Sequence, residues 1–66
     1  MLYKKCREEA GLTQKQVAEM LHVSQNAVHQ WEAGKREAPM EIIIKLANYY
    51  DISLDKFCER KYTETL

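Results

Sequence analysis

Sixty-six residues make one small domain, with no room for a catalytic domain built around a deep pocket. Ten Lys and Arg balance ten Asp and Glu, so the chain lacks the overall basic charge that drives indiscriminate binding to nucleic acid. No apolar run approaches the roughly 20 residues of a membrane span, and the opening MLYKKCREEA lacks the features of a secretory signal, so a soluble, cytoplasmic protein is expected.

The first helix is expected from about Leu2 to Ala10. Leu2, Cys6 and Ala10 repeat at i, i+4 and i+8, giving a narrow inward stripe with Tyr3 at its edge. Gly11 stops this helix as a C-terminal cap, and Leu12 then enters the core.

Thr13 opens a second helix. Its hydroxyl can accept a first-turn backbone N–H, while Gln16 reaches back, which is a capping box. Val17, Ala18 and Leu21 supply the apolar stripe of a short amphipathic helix. His22-Val23 forms the turn, and Ser24 is placed to cap a third helix.

That third helix, Gln25 to about Glu32, divides by face. At about 100° per residue, Ala27, Val28 and Trp31 share one arc, while Gln25, Asn26, His29 and Gln30 share the opposite one. The apolar arc packs inward. The polar arc opens with two amides, the side-chain type that pairs bidentately with adenine N6 and N7. An ordinary solvated helix face is also polar, yet Lys and Glu, the usual solubilising residues, are absent from this arc. The face also follows a short helix and a turn of helix-turn-helix length. A helix entering the major groove presents its first residues to the bases.

Beyond it, Ala33 to Arg36 forms a turn in which Gly34 can take positive φ. Pro39 suits the first position of a fourth helix, about Met40 to Tyr50, with Met40, Ile43, Ile44, Ala47 and Tyr50 at helical spacing. Ile42, Leu46 and Tyr49 make that helix apolar over more of its circumference than one core requires. Leu46 is assigned to the core and Ile42 to an exposed edge available for a subunit interface. Ser53 caps a fifth helix in which Leu54, Phe57 and Cys58 face inward. Residues 1–58 are expected to form the domain and 59–66 a C-terminal tail. Within the tail, Tyr62 to Thr65 is either a frayed terminus or a short strand pairing with a second copy.

Charge is unevenly spread. Residues 1–36 hold six bases (Lys4, Lys5, Arg7, Lys15, Lys35, Arg36) against four acids (Glu8, Glu9, Glu19, Glu32), whereas residues 37–66 hold four against six. The half with the polar helix is therefore the basic half. Cys6 and Cys58 lack CxxC or zinc-ligand spacing, and no metal or cofactor is expected.

GLTQKQVAEMLHVS, then Ala27-Val28, WEAGKR and IIIKLANYYDISLDKF, resemble the Cro/C1-type (Xre-like) helix-turn-helix family of phage repressors and bacterial regulators. The resemblance covers about Leu2 to Phe57. It implies an all-α, five-helix, lambda-repressor-like domain whose second and third helices form the helix-turn-helix. It also implies a bacterial or phage-encoded protein that binds double-stranded operator DNA, usually as a two-fold symmetric dimer. Carried over by position, Gln25, Asn26 and Gln30 match base-reading residues, with His29 beside them. Gln14, with Thr13 and Ser24 at the helix starts, would meet phosphates, as would Lys35 and Arg36 past the recognition helix. Arg7 and Glu32 match a pair joining the first helix to the end of the third. Two positions depart from the pattern: His22 stands where the family often has a left-handed glycine, and Pro39 is shifted by one. Histidine tolerates that conformation at modest cost.

The resulting expectation is a transcriptional regulator, most simply a repressor that occupies a palindromic operator as a homodimer through the fifth helix, the tail or the exposed edge of the fourth. A second class stays open: a protein-interaction module with a protein partner, such as the antitoxin of a toxin pair. An enzyme is not expected, for no face carries a paired acid and base.

Overall fold

The computed structural model describes residues 1–58. Among them are five helices and no strand: α1 (Tyr3–Glu9), α2 (Gln14–Leu21), α3 (Gln25–Glu32), α4 (Met40–Tyr49) and α5 (Leu54–Cys58). The tail reading at Tyr62 to Thr65 lies outside the described residues. No described helix is long and apolar enough to cross a membrane.

The helix starts follow local chemistry. Thr13 Oγ1 accepts the Gln16 N–H at 3.1 Å and the Thr13 N–H donates to Gln16 Oε1 at 2.8 Å, closing the capping box. Ser24 Oγ accepts from the Ala27 N–H, and Ser53 Oγ from the Lys56 N–H, each at 3.1 Å. Pro39 is the N-cap of α4 rather than its first helical residue, with φ −56° and ψ 151°. Its carbonyl takes the Ile42 and Ile43 N–H groups and so starts the helix from outside.

The helix ends share one device. After each of α1 to α4 the chain passes through a left-handed residue: Gly11, His22, Gly34 and Asp51, at φ 72°, 58°, 75° and 57°. The next residue's N–H reaches back five positions, as in Leu12 to the Arg7 carbonyl and Val23 to the Ala18 carbonyl. Together with the three-residue bonds beside them, these are Schellman closures. Leu12, Val23 and Ile52 follow the left-handed residues of α1, α2 and α4 and pack against the core, as that motif favours. After α3 the corresponding residue is Lys35, which is exposed.

The core is shared among all five helices, with α2 and α1 packed on α3 and α4 packed on α5. Its centre is aromatic. Tyr3 meets Phe57 edge-on with centroids 5.4 Å apart and lies 6.1 Å from Trp31, while Tyr50 stacks on Phe57 at 6.4 Å. The Tyr3 hydroxyl also accepts the Ala38 N–H at 3.3 Å. Burial raises the Tyr3 phenol above its ordinary value, and it carries Tyr50 up to about 12.

Several expectations about facing are corrected here. Tyr3, placed at the edge of the α1 stripe, is buried, whereas Ala10 is exposed and lies beyond the helix end. The large ring reaches the core junction that a methyl group at the last turn cannot. Ile42, assigned to an exposed edge, is buried, while Met40 and Ile44 are exposed. The apolar arc that wins is the one turned into the core, where α4 packs on α5. Leu54 is exposed rather than inward-facing, whereas Phe57 is buried and Cys58, half-buried, packs against the core as expected. Phe57 is 0% exposed. The Leu2 N–H to Phe57 carbonyl bond at 2.9 Å further ties α5 to the start of α1.

Candidate nucleic-acid interface

The helix-turn-helix consists of α2, the turn through His22 and Ser24, and α3. Val28 and Trp31 are buried and Ala27 is half-buried, so three side chains press α3 onto the bundle. Gln25, Asn26 and His29 are exposed on the opposite side, and Gln30 is half-buried at the edge of that face. Gln25 and Asn26 open α3 immediately after the Ser24 cap. No charged side chain lies on this face among the described residues. What projects is a set of amide donors and acceptors with an imidazole, a chemistry suited to base edges.

The angle at which α3 is presented depends on its last turn. Arg7 Nε donates to Glu32 Oε2 at 2.6 Å and Arg7 Nη2 donates to Glu32 Oε1 at 3.1 Å, a two-point bridge from α1 to α3. Arg7 Nη1 donates to the Leu12 carbonyl at 2.8 Å, tying the same guanidinium to the α1–α2 link. Gln14 Nε2 donates to Glu32 Oε1 at 3.0 Å and brings in the start of α2. Four segments thus meet at one ion pair. Burial disfavours the ionised carboxyl, but the bonds from Arg7 and Gln14 outweigh it and hold Glu32 below the usual carboxylate range. The hydrogen bond to Glu32 correspondingly raises Arg7.

The structure brings Gln14 and His29 to one open cleft of about 330 Å³, whose other lining residues are Lys4, Arg7, Glu32 and Ala33. Thr13 and Ser24 are exposed at their caps, with their oxygens occupied by backbone N–H groups. Gln14 spends one amide proton on Glu32 and keeps the other, so its first role here is within the protein. Lys35 and Arg36 are exposed beyond Gly34, and their N–H groups both donate to the Gln30 carbonyl. Arg36 lines a separate cleft with Glu37. Sequence reading missed the Leu12 carbonyl and the Gln14 amide as anchors of the pair. It also missed Lys4, although Lys4 precedes Arg7 by three residues and shares its helical face.

A family model described as helix-turn-helix matches residues 4–57. The HTH-type transcriptional regulator ImmR of Bacillus subtilis is 36% identical over 52 residues, which is 79% of this chain and 41% of that protein. The uncharacterized HTH-type transcriptional regulator YqaE of the same organism is 38% identical over 52 residues, 79% of this chain and 45% of that protein. The HTH-type transcriptional activator BcrR of Enterococcus faecalis is 33% identical over 60 residues, 91% of this chain and 29% of that protein. The chain thus spans less than half the length of these relatives. No solved structure gives a significant match. The matched segment runs from α1 into α5 and includes the anchored α2–α3 unit, and the chain belongs to the Cro/C1-type helix-turn-helix family.

Proposed function

We propose that this chain is a sequence-specific, double-stranded DNA-binding transcriptional regulator. The observation that carries the reading is the exposed, uncharged amide face of α3, on a helix whose orientation is held by Arg7 and Glu32. In this reading Gln25, Asn26 and Gln30 meet base edges in the major groove with His29 beside them. Thr13, Gln14, Ser24, Lys35 and Arg36 flank them at the sugar-phosphate backbone. A homodimer sets two α3 helices about 34 Å apart on a palindromic operator, and occupancy of that operator represses. Because the chain has no net charge, discrimination rests more on base contacts than on bulk attraction.

The test is selection of random double-stranded DNA by the purified chain, followed by a reporter carrying the enriched site. A palindrome with half-sites about one helical turn apart supports the dimeric reading. Activation rather than repression in the reporter corrects the sign, and one relative is indeed named an activator. A folded chain that enriches nothing overturns the reading. The exposed Met40, Ile44 and Tyr49 then favour the second one, a protein-interaction module, which retention of a partner from the native cell supports.

A further inference from the structure

We propose that Lys4, Gln14 and His29 together seat one DNA-backbone phosphate in the cleft above the Arg7–Glu32 pair. This deepens the DNA-binding reading and rests on it. It adds Lys4 as a contact and turns His29 toward the backbone rather than a base.

The argument starts from which charges are already satisfied. Both Glu32 oxygens are occupied, Oε2 by Arg7 and Oε1 by Arg7 and Gln14, so the carboxylate at the floor of the cleft is neutralised. Arg7 is spent on Glu32 and on the Leu12 carbonyl. Lys4 is exposed on α1 and lines the same cleft. Its ammonium is close enough to favour the ionised form of Glu32. The cleft therefore sets the exposed Lys4 ammonium above a carboxylate that Arg7 already neutralises.

The remaining wall supplies directed donors. Gln14 has a second amide proton, and His29 presents an exposed imidazole. His29 stands one turn after Gln25, so the cleft adjoins the amide face instead of lying behind it. A duplex whose major groove receives Gln25 and Asn26 runs its backbone past that border. A phosphate there gains a charge-assisted contact from Lys4 and hydrogen bonds from α2 and α3.

The experiment measures the salt dependence of binding to the site enriched by selection, for the full chain and for Lys4→Gln, Lys4→Arg, His29→Gln and the control Lys45→Gln on α4. Thermal unfolding establishes that each variant is folded. Losing one phosphate contact flattens the log–log salt slope by about 1 per half-site. Lys4→Gln is expected to show that loss, Lys4→Arg to retain the slope, and Lys45→Gln to leave it unchanged. Repeated selection with Lys4→Gln and with His29→Gln is expected to return the same sequence. An unaltered slope in Lys4→Gln, or a changed sequence in either variant, overturns the phosphate seat while operator binding stands. Absence of an enriched site for the unaltered chain removes the DNA reading itself.

Discussion

Arg7 on α1 and Glu32 at the end of α3 face each other at 2.6 Å, with 13% and 5% of their side chains exposed. The pair sets the angle of α3 more than it adds net stability, because two charges leaving water cost nearly what they regain from each other. Breaking one partner is a different matter. Glu32→Leu strands the guanidinium and is expected to cost about 3 kcal/mol, the low end for removing half of a buried pair. Arg7→Met combined with Glu32→Leu should cost less than Glu32→Leu alone. Urea unfolding of the two variants checks this, and a double variant less stable than Glu32→Leu refutes it.

The same pair predicts an acid limb of stability. Glu32 is depressed in the folded chain, so its contribution is present above the unfolded carboxyl value, about 4.3, and is lost as pH falls through the lower folded value. Glu32→Gln should lack that part of the acid transition. An alkaline limb has the opposite origin. Tyr50 is raised to about 12, so its contribution is complete below the unfolded phenol value of about 10 and is lost as pH climbs through the folded one. Ultraviolet titration should show a late phenolate that Tyr50→Phe removes.

His22 carries the left-handed turn between the two motif helices at φ 58°. A non-glycine residue there costs about 1–2 kcal/mol, while glycine returns roughly 0.4–1 kcal/mol of that through the unfolded chain. His22→Gly is thus expected to stabilise by about 0.5 kcal/mol, and His22→Val, β-branched at the same angle, to destabilise. Thermal melts of both variants decide the matter, and a His22→Gly melt below that of the unaltered chain contradicts it.

Phe57 is the largest fully buried side chain, in contact with the Tyr3 and Tyr50 rings. Phe57→Ala should cost about 3–5 kcal/mol. A domain of this length holds only about 3–10 kcal/mol in total, so the variant is expected to lose from about a third to all of its stability. Circular dichroism reads this directly. A Phe57→Ala chain that melts together with the unaltered one places the core elsewhere.

What the sequence determined by itself lies within a turn or two of chain. The Thr13–Gln16 box, the Ser24 and Ser53 caps, the stop at Gly11 and the left-handed His22 all follow from bonds spanning at most five residues. The division of α3 into an apolar and an amide face is equally local, because helical periodicity orders side chains around one axis. Periodicity does not say which arc another helix covers. Along α4, apolar residues occupy most of the circumference, and only packing within the bundle buries Ile42 while leaving Met40 and Ile44 exposed. Tyr3, Trp31, Tyr50 and Phe57 are spread from one end of the described chain to the other, and their meeting is a product of packing. The cleft that gathers Lys4, Gln14 and His29 draws on three helices in the same way. Short-range hydrogen bonds are written in adjacent letters, whereas close packing selects among faces only when every helix is in place.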